Sequence, residues 1–225
     1  MKIKIIQGRI VYYRPGDESI LAEVLEKQTY KRRYFDILPG ERWLDLGANI
    51  GAFALYCLLH GAIAECYEPD PACFEILIKN VPDCICHQSA VTYSTLEKIQ
   101  FFQSNKNTHS RGTIYPVRGY CAQNSVPNTY AGTLCSQFFD GVKMDIEGSE
   151  GPILDDWLLP KCSKLVLEYH NSRDPSTANL AQRLKQLNRK FKQVRYPKKY
   201  DHAIESGVPI FRSFRDRLIY CWEPR

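Results

Sequence analysis

Two short segments concentrate the residues able to do chemistry. The first is Trp43-Leu44-Asp45-Leu46-Gly47-Ala48-Asn49-Ile50-Gly51-Ala52-Phe53, a carboxylate set just ahead of a glycine-rich turn. Gly47 and Gly51 lack Cβ, so a ligand can approach the backbone there, and the helix start that follows offers free N–H groups. A pyrophosphate turn would read Gly-x-Gly-x-x-Gly; here the second glycine is missing, and Asp45 would repel a phosphate. Downstream, Glu68-Pro69-Asp70 closes the next strand. An acid at that place accepts both ribose hydroxyls in charge-assisted hydrogen bonds, roughly 1.5–3 kcal/mol each. A ligand with a cationic end and a free ribose fits both carboxylates, and S-adenosylmethionine has both. By the geometry of such a fold the later turn Gln88-Ser89-Ala90-Val91 lies near the adenine, which makes Ser89 and Ala90 cofactor-binding candidates.

The second segment is Lys143-Met144-Asp145-Ile146-Glu147-Gly148-Ser149-Glu150. Alternate residues of a strand share a face, so Lys143, Asp145 and Glu147 should point one way. The next strand ends Leu167-Glu168-Tyr169-His170, which puts Glu168 and His170 at the same rim. In an open α/β sheet ligands bind at the carboxyl ends of the strands. Carboxylates and a histidine there are what a general base for a substrate hydroxyl requires. Asp145 is the first choice for organising that end, with His170 or Glu168 as base and Glu147 beside them. Lys143 could serve only with a pKa depressed by burial. Asp145, Glu147 and Glu168 are equally a set of oxygen ligands for a divalent cation, and the sequence leaves that open.

The elements that must position these groups follow from the pattern. Residues 2–13 read as a hairpin turning at Gln7-Gly8, and Asp17 as the cap of a helix carrying Ile20, Leu21, Val24 and Leu25. Strands are predicted at Arg42–Leu46, Ile63–Tyr67, Cys84–His87, Val142–Ile146, Lys164–Tyr169 and Arg217–Trp222. Helices are predicted at Ile50–Leu59, from Asp70-Pro71, at Gly148–Leu159 and from Asp174-Pro175. This alternation predicts an α/β sandwich with a mostly parallel sheet. Residues 103–133 break it and read as a long polar loop, suited to hydrogen-bonding a sugar through Asn105, Asn107, Thr108, Ser110, Arg111 and Tyr115.

Composition narrows the class. The 225 residues are 44% hydrophobic and 24% charged, enough for a sizeable core. The apolar run Ala52–Leu59 falls far short of the ~20 residues that span a bilayer, and the N-terminus has no signal-peptide pattern, so membrane insertion and secretion are not expected. The nine cysteines are odd in number and irregularly spaced, which reads as reduced core thiols in a cytoplasmic protein. The net charge of +5 is uneven: Arg183 to Lys199 holds eight Lys/Arg and no acid. That run is either the solvated face of a helix or a surface for an acidic partner.

Leu-Asp-Leu-Gly-Ala-Asn-Ile-Gly-Ala-Phe (44–53), Tyr-Glu-Pro-Asp-Pro (67–71) and Val-Lys-Met-Asp-Ile-Glu-Gly-Ser-Glu (142–150) together resemble the FkbM family of S-adenosylmethionine-dependent methyltransferases. The resemblance implies the Rossmann-like class I methyltransferase fold, a seven-stranded mostly parallel sheet between helices. Here that gives one domain, 1–225, with an N-terminal hairpin and helix extension (1–40) before the core (41–225). It implies that Asp45, Gly47, Asn49, Gly51 and Glu68, with Pro69 beside it, bind the cofactor, and that Asp145 sits by the transferred methyl. Glu147, Glu150, Glu168 and His170 then line the acceptor side, and Tyr30 or Tyr34 fills the place of an aromatic that precedes the glycine turn. Two segments depart from the family pattern, Leu134-Cys135-Ser136-Gln137 and Gly151-Pro152. The expected reaction is O-methylation of a sugar or glycan, a deoxysugar such as rhamnose favoured, in a protein working beside glycosyltransferases. The alternatives are a ribose or other nucleic-acid methyltransferase, which the basic run favours and an acidic rim opposes, and a non-catalytic cofactor-binding module.

Overall fold

Lys2–Ile6 (β1) and Arg9–Tyr13 (β2) pair antiparallel, turning where Gln7 and Gly8 both take left-handed φ, 46° and 81°. These coordinates come from a computed structural model that describes residues 1–32, 35–104, 112–116, 119–170, 180–196 and 218–224. The helix after the hairpin is a single turn, Glu18–Leu21 (α1), continued by a wider turn at Ala22–Glu26. Asp17 stands at its start but does not cap it. Its Oδ2 instead accepts from the Arg14 backbone N–H (2.9 Å) and Nε (3.0 Å).

The core alternates as predicted. Arg42–Leu46 (β3), Ala52–Leu59 (α2), Ile63–Tyr67 (β4), Pro71–Asn80 (α3) and Ile85–His87 (β5) follow in order. Asp70 caps α3 with its side chain, accepting from Ala72 and Cys73 N–H, and Pro71 fills the first helical position. Among its described residues, the region read as a long polar loop, 103–133, is mostly sheet. Ala90–Thr92 (β6), Lys98–Ser104 (β7), Gly112–Thr113 (β8) and Tyr120–Tyr130 (β9) form a separate four-stranded sheet ordered β6-β9-β7-β8. One face covers a small core of Ala90, Phe101 and Val126; the solvated face is polar, and that polarity masked the strands. Asn105, Asn107, Thr108, Ser110 and Arg111 lie outside the described residues.

Phe138–Met144 (β10), Glu150–Asp155 (α4), Lys161–Glu168 (β11), Leu180–Lys190 (α5), Phe191–Arg195 (β12) and Leu218–Pro224 (β13) complete the chain. The main sheet is ordered β12-β13-β11-β10-β3-β4-β5, and β13 alone runs antiparallel to its neighbours. This is the seven-stranded, mostly parallel Rossmann-like sheet that the resemblance implies. The helix predicted over Gly148–Leu159 is shorter, Glu150–Asp155, with Pro152 in its first turn, where a missing N–H costs little. Asp174-Pro175 lies outside the described residues. The basic run is not one helix face: it crosses from α5 into β12, and Arg183 is buried against Asp155 and Tyr169. Lys198 and Lys199 are outside the described residues.

Strand alternation sorts the core into two layers. Trp43, Ala64, Cys66 and Val166 face α2, α3 and the N-terminal extension, whereas Leu44, Leu46, Val142, Met144 and Leu165 pack beneath the layer of α4 and α5. Buried Asn80 fastens the hairpin to the glycine turn. It accepts from Tyr12 N–H (2.7 Å) and donates to the carbonyls of Tyr12 (3.0 Å) and Ile50 (2.7 Å). None of the nine cysteines, all among the described residues, forms a disulfide. No helix among the described residues is long and apolar enough to cross a membrane, which leaves β-barrels unaddressed.

Candidate functional site

At the carboxyl ends of β3, β4 and β10 a cavity opens between the main sheet and the inserted one, about 670 Å³ when the part open to solvent is included. Of the residues expected to bind the cofactor, Gly47, Asn49, Glu68, Pro69, Ser89, Ala90 and Asp145 line it. Glu147 lines it too, and so do Tyr67, Asp70, Phe101, Gly112, Thr113, Ile114, Ile146 and Ser149, which sequence reasoning missed as ligand-facing. Phe101, Gly112 and Thr113 of that missed wall belong to the inserted sheet, which only the strand pairing reveals. Thr113 Oγ1 latches that sheet to the rim by donating to the Glu147 carbonyl (2.8 Å), and Gln103 Nε2 does so by donating to Asp70.

The glycine turn owes its shape to packing as well as to any ligand. A Cβ on Gly47 would stand 1.9 Å from the Asp145 carbonyl oxygen, and its φ is +79°. Gly51 lies behind the cavity wall; a Cβ there would meet Leu77 at 2.9 Å, so it serves the packing of α2 on α3. The Gly47 and Ala48 N–H groups both donate to the Tyr67 carbonyl at 3.0 Å, which leaves them committed within the protein. Asn49 takes left-handed φ, 52°, and its N–H points to Glu68.

Glu68 is buried, and each of its carboxylate oxygens accepts one backbone N–H: Oε2 from Asn49 and Oε1 from Asp70, both at 2.8 Å. Each oxygen keeps a second lone pair for a ligand hydroxyl. Burial pushes this carboxyl up to about 7, against the pull of its two backbone donors.

Asp45 is fully buried and does not line the cavity. It stands beside Lys143 in the parallel register of β3 and β10, and Lys143 Nζ lies 3.1 Å from its Oδ1. The same ammonium donates to the carbonyls of Gly47 (2.6 Å) and Leu46 (3.4 Å). Burial would lower the lysine, but Asp45 and Asp145 hold it above its ordinary value, so it stays a cation and is not a base. The negative lining of the cavity therefore comes from Glu68, Asp70, Asp145 and Glu147, and the Asp45–Lys143 pair fixes the turn from behind.

Asp145 and His170 form the second cluster. The face-sharing expected of Lys143, Asp145 and Glu147 stops early, because β10 ends at Met144 and Glu147 takes φ 54°. That twist still brings Glu147 Oε2 to 3.3 Å from His170 Nε2, with Glu168 Oε1 at 3.5 Å and Asp145 Oδ1 at 4.0 Å. His170 Nδ1 lies 3.1 Å from Glu150 Oε1. Glu150 is itself buried and shapes the turn, its Oε1 accepting from Ile146 N–H (3.0 Å) and its Oε2 from Gly148 N–H (3.0 Å). Burial works against a charged imidazole, but the surrounding carboxylates, Glu150 foremost, hold His170 up to about 10. It is a charge-balancing imidazolium at neutral pH rather than a free base. Burial, then the charge of Glu168, pushes Asp145 up to about 6.

Tyr30 reaches this cluster from the N-terminal extension. It is buried edge-on to Phe53 (4.9 Å), and burial followed by the charges of Asp145 and Glu168 pushes its phenol well up. Tyr34 lies outside the described residues. Ligand atoms of Asp145, Glu150 and His170 fall within 4.8 Å of one another, a spacing a metal ion could use. Glu168, His170, Tyr30, Gly51 and Asp45 do not line the cavity; of the proposed catalytic residues, Asp145 and Glu147 face it directly.

The cavity fits the cofactor expected from the sequence. The carboxylates of Glu68 and Asp145 line it together with the apolar side chains of Val91, Phe101 and Ile114, a mixture suited to an adenosine conjugate with a cationic end. No curated protein matches the chain. Among solved structures, a SAM-dependent methyltransferase from Archaeoglobus fulgidus is 11% identical at a TM-score of 0.49, covering 92% of this chain and 94% of that one. A TehB-like SAM-dependent methyltransferase from Corynebacterium glutamicum is 11% identical at 0.44, over 94% of this chain and 100% of that one. The tRNA (uracil-54, C5)-methyltransferase of Pyrococcus abyssi, in complex with S-adenosyl-L-homocysteine, is 11% identical at 0.49, over 100% of this chain and 44% of that one. Residues 45–191 match the Methyltransferase FkbM domain, from Asp45 in the glycine turn through the Asp145 segment to the start of β12, and so the chain belongs to the FkbM family of S-adenosylmethionine-dependent methyltransferases.

Proposed function

We propose that this methyltransferase acts on a hydroxyl of a sugar or glycan, a deoxysugar such as rhamnose foremost. The observation that carries the reading is the double position of Asp145. It lines the cofactor cavity and also faces the Glu147, Glu168 and His170 group on the acceptor side. S-adenosylmethionine supplies an electrophilic methyl on sulfur. What remains for the protein is to hold an acceptor oxygen in line with it and to take the hydroxyl proton. A carboxyl raised to about 6 is ionised at neutral pH yet basic enough for that task. His170 keeps the neighbouring carboxylates from repelling Asp145 into its neutral form. Glu68 and Asn49 hold the cofactor's ribose end, and Tyr30 and Glu168 bound the acceptor side.

The acidic rim favours an uncharged polyol over a phosphate-rich acceptor, and Arg183 in the basic run is spent on Asp155. A transfer assay with labelled methyl donor against deoxysugar glycans, other glycans and RNA tests the proposal, with and without chelator. Label in a glycan, lost in Asp145→Asn, supports it; label in RNA alone overturns it.

A further inference from the structure

Three thiols meet on one face of the main sheet at its edge. β4 and β5 pair in parallel, with Cys66 directly opposite Cys86. Cys84 stands one place before β5, so Cys66, Cys84 and Cys86 share a face and pack with the same core as α2 and α3. The Cys66 thiol hydrogen-bonds to the sulfurs of both Cys84 and Cys86. Cys86 directs its own proton to the Cys84 carbonyl (3.7 Å).

The three are not equivalent. Cys66 is 0% exposed, whereas Cys84 and Cys86 are half-buried, on the strand that ends the sheet. The Cys84 sulfur accepts from the Cys66 thiol and from the Ala64 backbone N–H. The Cys66 bond, helped by that of Ala64, holds the Cys84 thiol below its ordinary value against burial and the charges of Asp45 and Asp83. Arg9 blunts the second of those charges, its Nη1 lying 3.1 Å from Asp83. Cys66, the donor, is pushed well up, first by those same bonds and then by burial. Cys57, on α2 in the same core, is buried and pushed well up by that burial, as an inert thiol would be. An accessible sulfur disposed to be a thiolate thus sits beside a buried thiol already aimed at it, the pairing that thiol oxidation exploits.

We infer that Cys84 is a site of oxidation by peroxide, and that Cys66 resolves it to a reversible disulfide between β4 and the start of β5. The Cys84 thiolate attacks hydrogen peroxide; the S–O bond forms, the O–O bond breaks, and the departing hydroxide takes a proton to become water. Cys66 then attacks the Cys84 sulfur. The S–S bond forms, the S–O bond breaks, and the hydroxyl leaves as water with the Cys66 proton. Two electrons pass from the thiol pair to the peroxide. The new bond draws the start of β5 toward β4. Glu68 lies two residues beyond Cys66, and its N–H donates to the His87 carbonyl at the end of β5 (3.1 Å), so the shift reaches the cavity wall. Oxidation therefore weakens cofactor binding, a consequence that rests on the cavity being the cofactor site.

The test treats the reduced full chain with hydrogen peroxide and removes the peroxide. Peptide mapping and calorimetry with S-adenosylhomocysteine follow. The expected product has lost two hydrogens and carries a Cys66–Cys84 crosslink that dithiothreitol reverses. Cys86→Ser should keep the crosslink, and Cys84→Ser should lose it. Cys66→Ala should instead accumulate a sulfenic acid at Cys84 that dimedone traps. Oxidised wild type should bind on the order of tenfold more weakly, recover with dithiothreitol, and differ in this from Cys84→Ser, which should bind as reduced wild type does before and after peroxide. No crosslink, or one joining Cys66 to Cys86, overturns the site. A Cys66–Cys84 crosslink with unchanged affinity, or an equal loss of affinity in Cys84→Ser, overturns the link to the cofactor and leaves the site standing.

Discussion

Acid should loosen the cofactor without any residue being changed. Glu68 has two carboxylate oxygens, each already accepting a backbone N–H at 2.8 Å, and one lone pair on each remains for a ribose hydroxyl. A proton on either oxygen removes an acceptor and sets an O–H among donors, so binding selects the ionised form. Burial holds this carboxyl at about 7. Between about pH 8 and about pH 6 its ionised fraction then falls from about 0.9 to about 0.1, a roughly tenfold loss of apparent affinity, or about 1.4 kcal/mol. The assay is calorimetric titration with S-adenosylhomocysteine, which lacks the sulfonium charge and so isolates Glu68 from Asp145. Repeating it in two buffers of different ionisation heat counts protons. Near pH 7 about half a proton should leave for each ligand bound. Glu68→Gln must set its NH₂ against one of the two backbone N–H groups, so it should bind weakly with a flat pH profile. A wild-type affinity that holds steady across this window, with no proton released, refutes the assignment of Glu68 to the ribose.

Other consequences are as direct. Gly47→Ala drives a Cβ to 1.9 Å from the Asp145 carbonyl at a φ of +79°, so the turn must move; a loss on the order of 3 kcal/mol or more is expected in urea unfolding, and full stability would contradict the packing described. Asp145→Asn should cut turnover roughly 10²–10⁴-fold while S-adenosylhomocysteine affinity stays within about threefold, and equal losses in both would return Asp145 to a purely cofactor-binding role. His170 is raised from 6.5 to about 10 by its carboxylates, so its stabilisation is full below about pH 6.5 and is lost as pH rises through about 10. The melting temperature of His170→Gln should therefore lie below wild type at neutral pH and converge with it toward about pH 10, and a constant gap would show that packing, not charge, is at work.

Much of this was legible before any coordinates. Glycine spacing, the acid at the end of β4 and the capped start at Asp70-Pro71 are local signals, and the backbone obeys them because nothing tertiary competes. The inserted sheet was not legible: β9 reads Tyr-Cys-Ala-Gln-Asn-Ser-Val-Pro-Asn-Thr-Tyr, and a strand with one solvated face and a small core beneath it differs little in composition from a loop. Asp45 and Lys143 lie 98 positions apart in numbering and meet only because β3 and β10 are neighbours in register, which no spacing rule foretells. The same blindness hid the partners of Arg183 and let a charged run look like one solvated face.

The charges behind the cavity explain why the acids in front of it differ in kind. Lys143 neutralises Asp45 and ties down the Gly47 carbonyl, so the turn carries no net charge of its own toward a ligand. His170 does the same for Glu150 and reaches toward Glu147 and Glu168. Burial raises Asp45 behind the cavity despite Lys143, and in the lining it raises Glu68 to about 7 and Asp145 to about 6. Two groups so poised, one at the ribose end and one at the far end, can respond to a ligand's arrival. Under the proposed function, a sulfonium held next to Asp145 would lower its pKa and keep it ionised where an acceptor hydroxyl is to be held. That reading predicts that the cofactor binds first and that acceptor affinity is weaker in the cofactor-free protein, which calorimetric titration of the acceptor against cofactor-free and cofactor-loaded protein checks.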